Sequence, residues 1–219
     1  MQSKVLPSKP FLMLLYGYPG AGKSTFARQF TGEMPIVHLD ETKIKYELHE
    51  STKGQAVGGA EEIIDFMVKE FLAAGVSVIL DKNVSKVRDR KKYMHLAKKA
   101  NSSPVLLIWI QLDPESAFMR TQKRDRRKSE EKYALEYSKS DFQQLINESQ
   151  NPDNEDYVVI SGKHTFQTQR GSVMKKLFEK GILSRQDAHS KVVKPGLVNL
   201  IPQPMEGRDD FPRRHISIR

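Results

Sequence analysis

Eight consecutive residues have the types and spacing of one particular chemistry. Gly-Tyr-Pro-Gly-Ala-Gly-Lys-Ser at positions 17–24 fits the pattern G-x-x-x-x-G-K-[ST], in which a curl of backbone N–H groups cradles a run of phosphates. Gly17, Gly20 and Gly22 free the backbone to curl, with Tyr18, Pro19 and Ala21 between them. Lys23 supplies a point charge for the outer phosphates, and the Ser24 hydroxyl suits the shell of a bound Mg²⁺. Thr25 is a packing or capping residue that completes the stretch. Residues 17–25 are therefore the candidate site for a nucleotide cofactor, ATP or GTP, with Mg²⁺.

Two carboxylates belong to the same chemistry. Asp40 ends an apolar run over 36–39 and Asp81 ends another over 76–80. A carboxylate beside a triphosphate deprotonates and orients an attacking hydroxyl, or holds Mg²⁺. Asp40 is assigned the base role, because it stands at the strand edge where open parallel sheets bind ligands and where an acceptor would lie. Asp81 is the candidate metal residue together with Ser24. The alternative use of either aspartate is a helix N-cap. Arg120, Arg124, Arg126 and Arg127 crowd into one short basic stretch, and planar guanidinium forks suit the charge that develops on a transferring phosphoryl group. The six histidines lack metal-ligand spacing and read as structural or surface residues, and Trp109 reads as core.

These groups need elements to hold them. The apolar run 11–16 predicts a strand leading into the phosphate loop, and 23–30 a helix leading out of it. Further strands are predicted at 36–39, 76–80, 104–112 and 157–160. Helices are predicted at 41–49, 60–74, 85–100, from Pro114 onward, at 133–147 and at 169–180. The helix at 133–147 would bury Tyr133, Leu135, Tyr137, Phe142, Leu145 and Ile146. The glycine-rich stretch 51–60 predicts a loop, and 192–219, rich in proline, an extended segment. Strands alternating with helices predict an α/β three-layer sandwich with a mostly parallel five-stranded sheet. Residues 1–162 would form the core with a helical lid around 120–132, and 163–219 a C-terminal helix and extended segment packed on it.

Composition narrows the partners. The 219 residues include 36 Lys+Arg against 27 Asp+Glu, a formal net charge of +9, which favours a polyanionic partner. The excess is concentrated at 81–100 and 120–132; solvated helix faces are the plainer use of such charge. The absence of cysteine excludes disulfides and thiolate metal sites. No apolar run has the length of a membrane span, and residues 1–10 lack the apolar core of a secretory signal. The expectation is a cytoplasmic protein without a membrane partner.

Taken together, residues 17–24, the Val-Ile-Leu-Asp-Lys-Asn run at 78–83 and the spacing of Arg120 and Arg124 resemble the P-loop kinase group that includes bacteriophage polynucleotide 5′-kinase and the zeta toxins. The likeness covers roughly residues 11–162. It implies the P-loop NTPase fold and transfer of a γ-phosphate to a hydroxyl with Mg²⁺, with the general base at Asp40. It also implies that Lys43 meets the acceptor's phosphate, that Asp81 and Asn83 belong to the substrate side, and that Lys23, Arg120, Arg124 and Arg127 serve catalysis. Three uses stay open: transfer to a nucleic acid or nucleotide, transfer to a sugar nucleotide or other small metabolite, and an NTP-binding regulatory module with no acceptor.

Overall fold

The computed structural model describes residues 5–53, 59–101, 103–125, 127–128 and 132–184. Residues 54–58 of the expected 51–60 loop, Arg126 and the extended segment at 192–219 lie outside them. Five strands, β1 (Leu12–Tyr16), β2 (Ile36–Asp40), β3 (Ser77–Asp81), β4 (Val105–Gln111) and β5 (Tyr157–Ser161), pair in the order β2-β3-β1-β4-β5. Every neighbouring pair is parallel, which places all five strand tips on one edge.

The sheet is covered on both faces, so its strands are near-continuous apolar runs. From β1, Met13 and Leu15 join one core, shared with α1 (Lys23–Phe30) and α7 (Phe166–Glu179) through Phe26, Phe30, Val173 and Leu177. Leu12, Leu14 and Tyr16 join the other, against α3 (Ala60–Ala73) and α4 (Val87–Lys99) through Ile64, Val68, Leu72 and Tyr93. Every residue of β1 is buried, and burying one such large apolar side chain contributes about 1.5–3 kcal/mol. The strand that delivers the phosphate loop is thereby firmly seated.

Two expectations need correction. No helix begins at Tyr133: 132–138 is irregular, and α6 runs over Lys139–Glu148. Ser138 starts it, its Oγ accepting from the Asp141 N–H and donating to the Asp141 carboxylate, so the cap lies five residues beyond the expected start. Phe142 is buried as expected, whereas Leu135 is 53% exposed. The lid is likewise helical only at its start, since α5 (Pro114–Gln122) ends before Lys123 and irregular backbone carries Arg124 and Arg127. The close run of like charges there has no apolar stripe to pack.

The basic stretch 81–100 is also not wholly a solvated face. Arg90 is fully buried, its Nε donating to both oxygens of Glu155 at 2.9 Å and its Nη1 to the carbonyls of Val84 and Ser85. It ties α4 to the turn that precedes β5.

Candidate active site

β1 ends at Tyr16 and the loop turns back toward α1, whose N-cap is Gly22 at φ 107°, with no side-chain cap. The first-turn N–H groups of α1 are thus left for an anion, at the positive end of the helix dipole. Gly20, at φ 85°, passes so close to α5 that a Cβ there would lie 2.2 Å from the Ala117 carbonyl oxygen. A side chain at this position would push the loop off the helix that leads into the lid.

Lys23 folds back over the loop, its ammonium donating to the carbonyls of Gly17 at 2.7 Å and Tyr18 at 3.1 Å. Burial, which disfavours the charged form, and the nearby Arg124 guanidinium lower its pKa to about 8, against the opposing pull of Asp81. A phosphate chain would supply the negative charge this lysine lacks.

Asp40 and Asp81 are register partners at the tips of β2 and β3. Their carboxylates and the ring of His38 offer atoms that all lie within 4.8 Å of one another. Asp81 is 7% exposed. Burial alone would raise its pKa, but the hydrogen bond to His38 (3.4 Å), the Lys23 charge and the hydrogen bond with Ser24 outweigh it and hold the carboxyl below its ordinary value. Asp81 is therefore held ionised beside the Ser24 hydroxyl. These are hard oxygen donors at the rim of a phosphate cradle, the set that suits Mg²⁺.

Asp40 does cap α2 (Glu41–Ser51): its Oδ1 accepts from the N–H of Thr42 at 3.0 Å, the N–H of Lys43 at 3.2 Å and the Thr42 hydroxyl at 2.6 Å. All three bonds end on Oδ1, and no donor among the described residues reaches Oδ2. The cap thus fixes the carboxylate while leaving an oxygen with basic capacity. Behind it the buried Glu41 carboxylate accepts from the Lys82 ammonium at 2.7 Å and from the Asn83 N–H at 3.3 Å, with Lys45 at 2.9 Å on the same oxygen as Lys82. This ion pair joins the start of α2 to the tip of β3 and so sets the spacing of the two aspartates.

Around these groups lies a cavity of about 430 Å³, walled by the phosphate loop, Asp40, Asp81, Asn83, Arg120, Arg124 and Tyr133. Asn83 is exposed in it, its Oδ1 accepting from the Ser85 N–H. Arg120 reaches across to the Gly162 carbonyl at 2.9 Å. Pro19 and Thr25 also reach the wall, whereas Ala21 is fully buried and the Tyr18 ring packs edge-on against Phe142. Lys43 and Arg127 do not join the wall. The Lys43 ammonium lies 5.9 Å over the Tyr133 ring, and Arg127 is exposed, its N–H bonded to Asp125. Among the residues that escaped the sequence reading are His38, Glu41, Lys82 and Tyr133. The signal for His38 was its i, i+2 spacing from Asp40, which puts both side chains on one face of β2.

The family model of an AAA domain matches residues 12–145. Over 114 residues the chain is 29% identical to a protein of Acanthamoeba polyphaga mimivirus named "Putative bifunctional polynucleotide phosphatase/kinase". That match covers 52% of this chain and 24% of the viral protein, so the chain spans about a quarter of the length of that curated relative. Among solved structures, a gluconokinase from Sinorhizobium meliloti 1021 aligns with a TM-score of 0.55 at 11% identity, over 87% of this chain and 99% of its own. The APS kinase CysC of Mycobacterium tuberculosis, solved with AMPPNP and APS, aligns with a TM-score of 0.56 at 14% identity, over 78% and 99%. Likeness at this level is likeness of fold. The matched model runs from β1 through the phosphate loop, both aspartates and the lid, and the chain belongs to the AAA domain family, with the fold of the P-loop kinases.

Proposed function

We propose that the protein is a phosphotransferase that moves the γ-phosphoryl group of ATP to a hydroxyl on a nucleic acid or nucleotide. The observation that carries this reading is the pairing of Asp40 and Asp81 at adjacent strand tips facing the phosphate loop, one carboxylate held ionised beside Ser24 and the other with an oxygen to spare. Nucleotide binding alone needs no second carboxylate. In the proposed reaction the acceptor oxygen bonds to the γ-phosphorus, the bond from that phosphorus to the β–γ bridging oxygen breaks, ADP leaves and the hydroxyl proton passes to Asp40. Lys23, Arg120 and Arg124 meet the charge on the transferring group, and Arg127 joins them as the lid closes. Mg²⁺, held through Ser24 and Asp81, would neutralise phosphate charge.

The nucleic-acid or nucleotide acceptor is supported by the net charge of +9 and by the likeness to a part of the viral protein, whose name is that of a bifunctional polynucleotide phosphatase/kinase. The second reading, a small sugar or metabolite acceptor, is favoured by the cavity of about 430 Å³, which suits a compact ligand, and by the gluconokinase likeness of the fold. Labelled ATP incubated with hydroxyl-ended oligonucleotides, nucleosides, sugar nucleotides and sugar acids separates the two by which acceptor takes the label. Label on an oligonucleotide, with binding that weakens steeply as salt rises, supports the first reading. Label on a sugar alone overturns it, and no label on any acceptor overturns both.

A further inference from the structure

Tyr133, in the irregular lid segment, is pinned to α2. Its ring packs edge-on against Tyr46, centroids 5.2 Å apart at 71°, and its hydroxyl donates to Glu47 Oε1 at 2.6 Å. Two ammonium groups flank the pair. Lys43 lies 5.9 Å from the Tyr133 centroid, and Lys132 lies 5.0 Å from that of Tyr46 and 5.4 Å from that of Tyr133. Neither ring belongs to either core, and Tyr46 is 37% exposed. Tyr133 also forms part of the cavity wall that includes Asp40 and Thr42. Two aromatic rings and two cations therefore stand together at the mouth of the site, on the side of the assigned base.

From this we infer that Tyr46 and Tyr133, with Lys43 and Lys132, form a platform that takes the terminal base of a single-stranded nucleic acid acceptor and the phosphate next to it. This inference rests on the phosphotransfer reading and names its acceptor. Every base presents a π-face that stacks on an aromatic ring without regard to sequence. A lysine over a ring face would swing aside to admit a base, and moving from ring to phosphate exchanges a weak attraction for a stronger one. A compact sugar has neither the flat face nor a second phosphate to use this surface. The platform would hold the strand's end so that its hydroxyl points at Asp40 and would favour single strands, whose bases are free to stack.

The test is direct binding of a single-stranded thymidine dodecamer with a fluorescent label at its far end, followed by anisotropy without ATP. Tyr46→Ala is expected to raise Kd roughly tenfold or more, and Tyr46→Leu to do the same, because the stack and not apolar bulk is lost. Tyr133→Phe is expected to bind within about threefold of wild type, since the ring stays. Removing Lys132 is expected to lower the slope of log K against log salt by about one. The inference is overturned if Tyr46→Ala binds as wild type while its circular dichroism is unchanged, or if Tyr46→Leu restores binding. Platform-dependent binding without label transfer would sustain the platform and sink the transferase reading. Label transfer indifferent to Tyr46 and Tyr133 would do the reverse.

Discussion

The two walls of the cavity are built by different means. The phosphate wall is one uninterrupted stretch, β1 into residues 17–22 into α1, and its donors are mostly backbone N–H groups whose direction follows from glycine conformations and a helix start. The opposite wall, which the proposed function gives to the acceptor, is assembled from α2, the tip of β3 and the lid, and its groups are side chains held by one another: Asp40 by the N–H groups of α2, Lys82 by Glu41, Tyr133 by Tyr46 and Glu47. A wall of backbone tolerates most side-chain changes outside its glycines and lysine. A wall of paired side chains loses its geometry when either partner goes, so acceptor chemistry should be the more fragile of the two functions.

The largest break in that comparison comes from Asp40→Asn, which keeps a side-chain oxygen for the cap but removes the proposed base. The rate of transfer is expected to fall ~10²–10⁴-fold while ATP affinity, measured by titration calorimetry, stays within about twofold. Equal loss of both would place Asp40 on the phosphate wall instead. Next is Lys82→Met, which leaves the more exposed Lys45 as the one remaining ion-pair partner of the buried Glu41 carboxylate among the described residues. A loss of about 2–4 kcal/mol in denaturant unfolding is expected, with much of it recovered in the Glu41→Leu, Lys82→Met double variant. Recovery of stability without recovery of transfer would show that the ion pair's use is to space the aspartates.

The phosphate wall is probed by pH. The folded-state pKa of Lys23 is lowered from an ordinary 10.5 to about 8, so between these values the unfolded chain binds the extra proton. The contribution of this lysine to stability therefore rises with pH through that window. Nucleotide affinity runs the opposite way, because a neutral amine must be reprotonated to meet phosphate. Affinity for ATP is expected to fall above about pH 8, by up to about tenfold per unit, with proton uptake on binding visible calorimetrically in buffers of different ionisation heat. A flat profile to pH 9.5 would argue that Lys23 is already fully charged. The smallest effect is expected from Ser138→Ala, which removes the cap of α6 and costs about 1 kcal/mol in thermal or denaturant unfolding. Its side-chain hydrogen bonds are with Ser140 and Asp141 of α6 itself, so ATP affinity is expected to stay unchanged.

How much of this was legible in the sequence varied with how local the determinant was. The alternation of apolar runs with amphipathic stretches was enough for the parallel α/β sandwich. Asp40 and Asp81 were visible as strand tips, though not that they are register partners. In the segment 133–138, Tyr133, Leu135 and Tyr137 look like the start of the apolar side that Phe142 and Ile146 continue, but the stronger sign is the Ser138-x-x-Asp141 cap. Lys82 had no account from sequence, since its partner lies on another element. Arg90 reads from sequence as one charge in a basic helix, and its partner Glu155 lies far along the chain.

The sequence by itself determined the phosphate loop, since the φ values a curl of amides requires are open to glycine at little cost and the strand before it and helix after it are written in neighbouring residues. Which carboxylate meets Ser24, which keeps a free oxygen and which ring lines the cavity beside Asp40 were decided by tertiary structure alone. Pairing β2 with β3 sets Asp40 beside Asp81 and brings the Glu41 charge against Lys82, and docking the lid on α2 sets Tyr133 against Tyr46. Contacts between residues so far apart in the chain have no local pattern to announce them, because their energies arise only once the strands are side by side and water has been excluded between them.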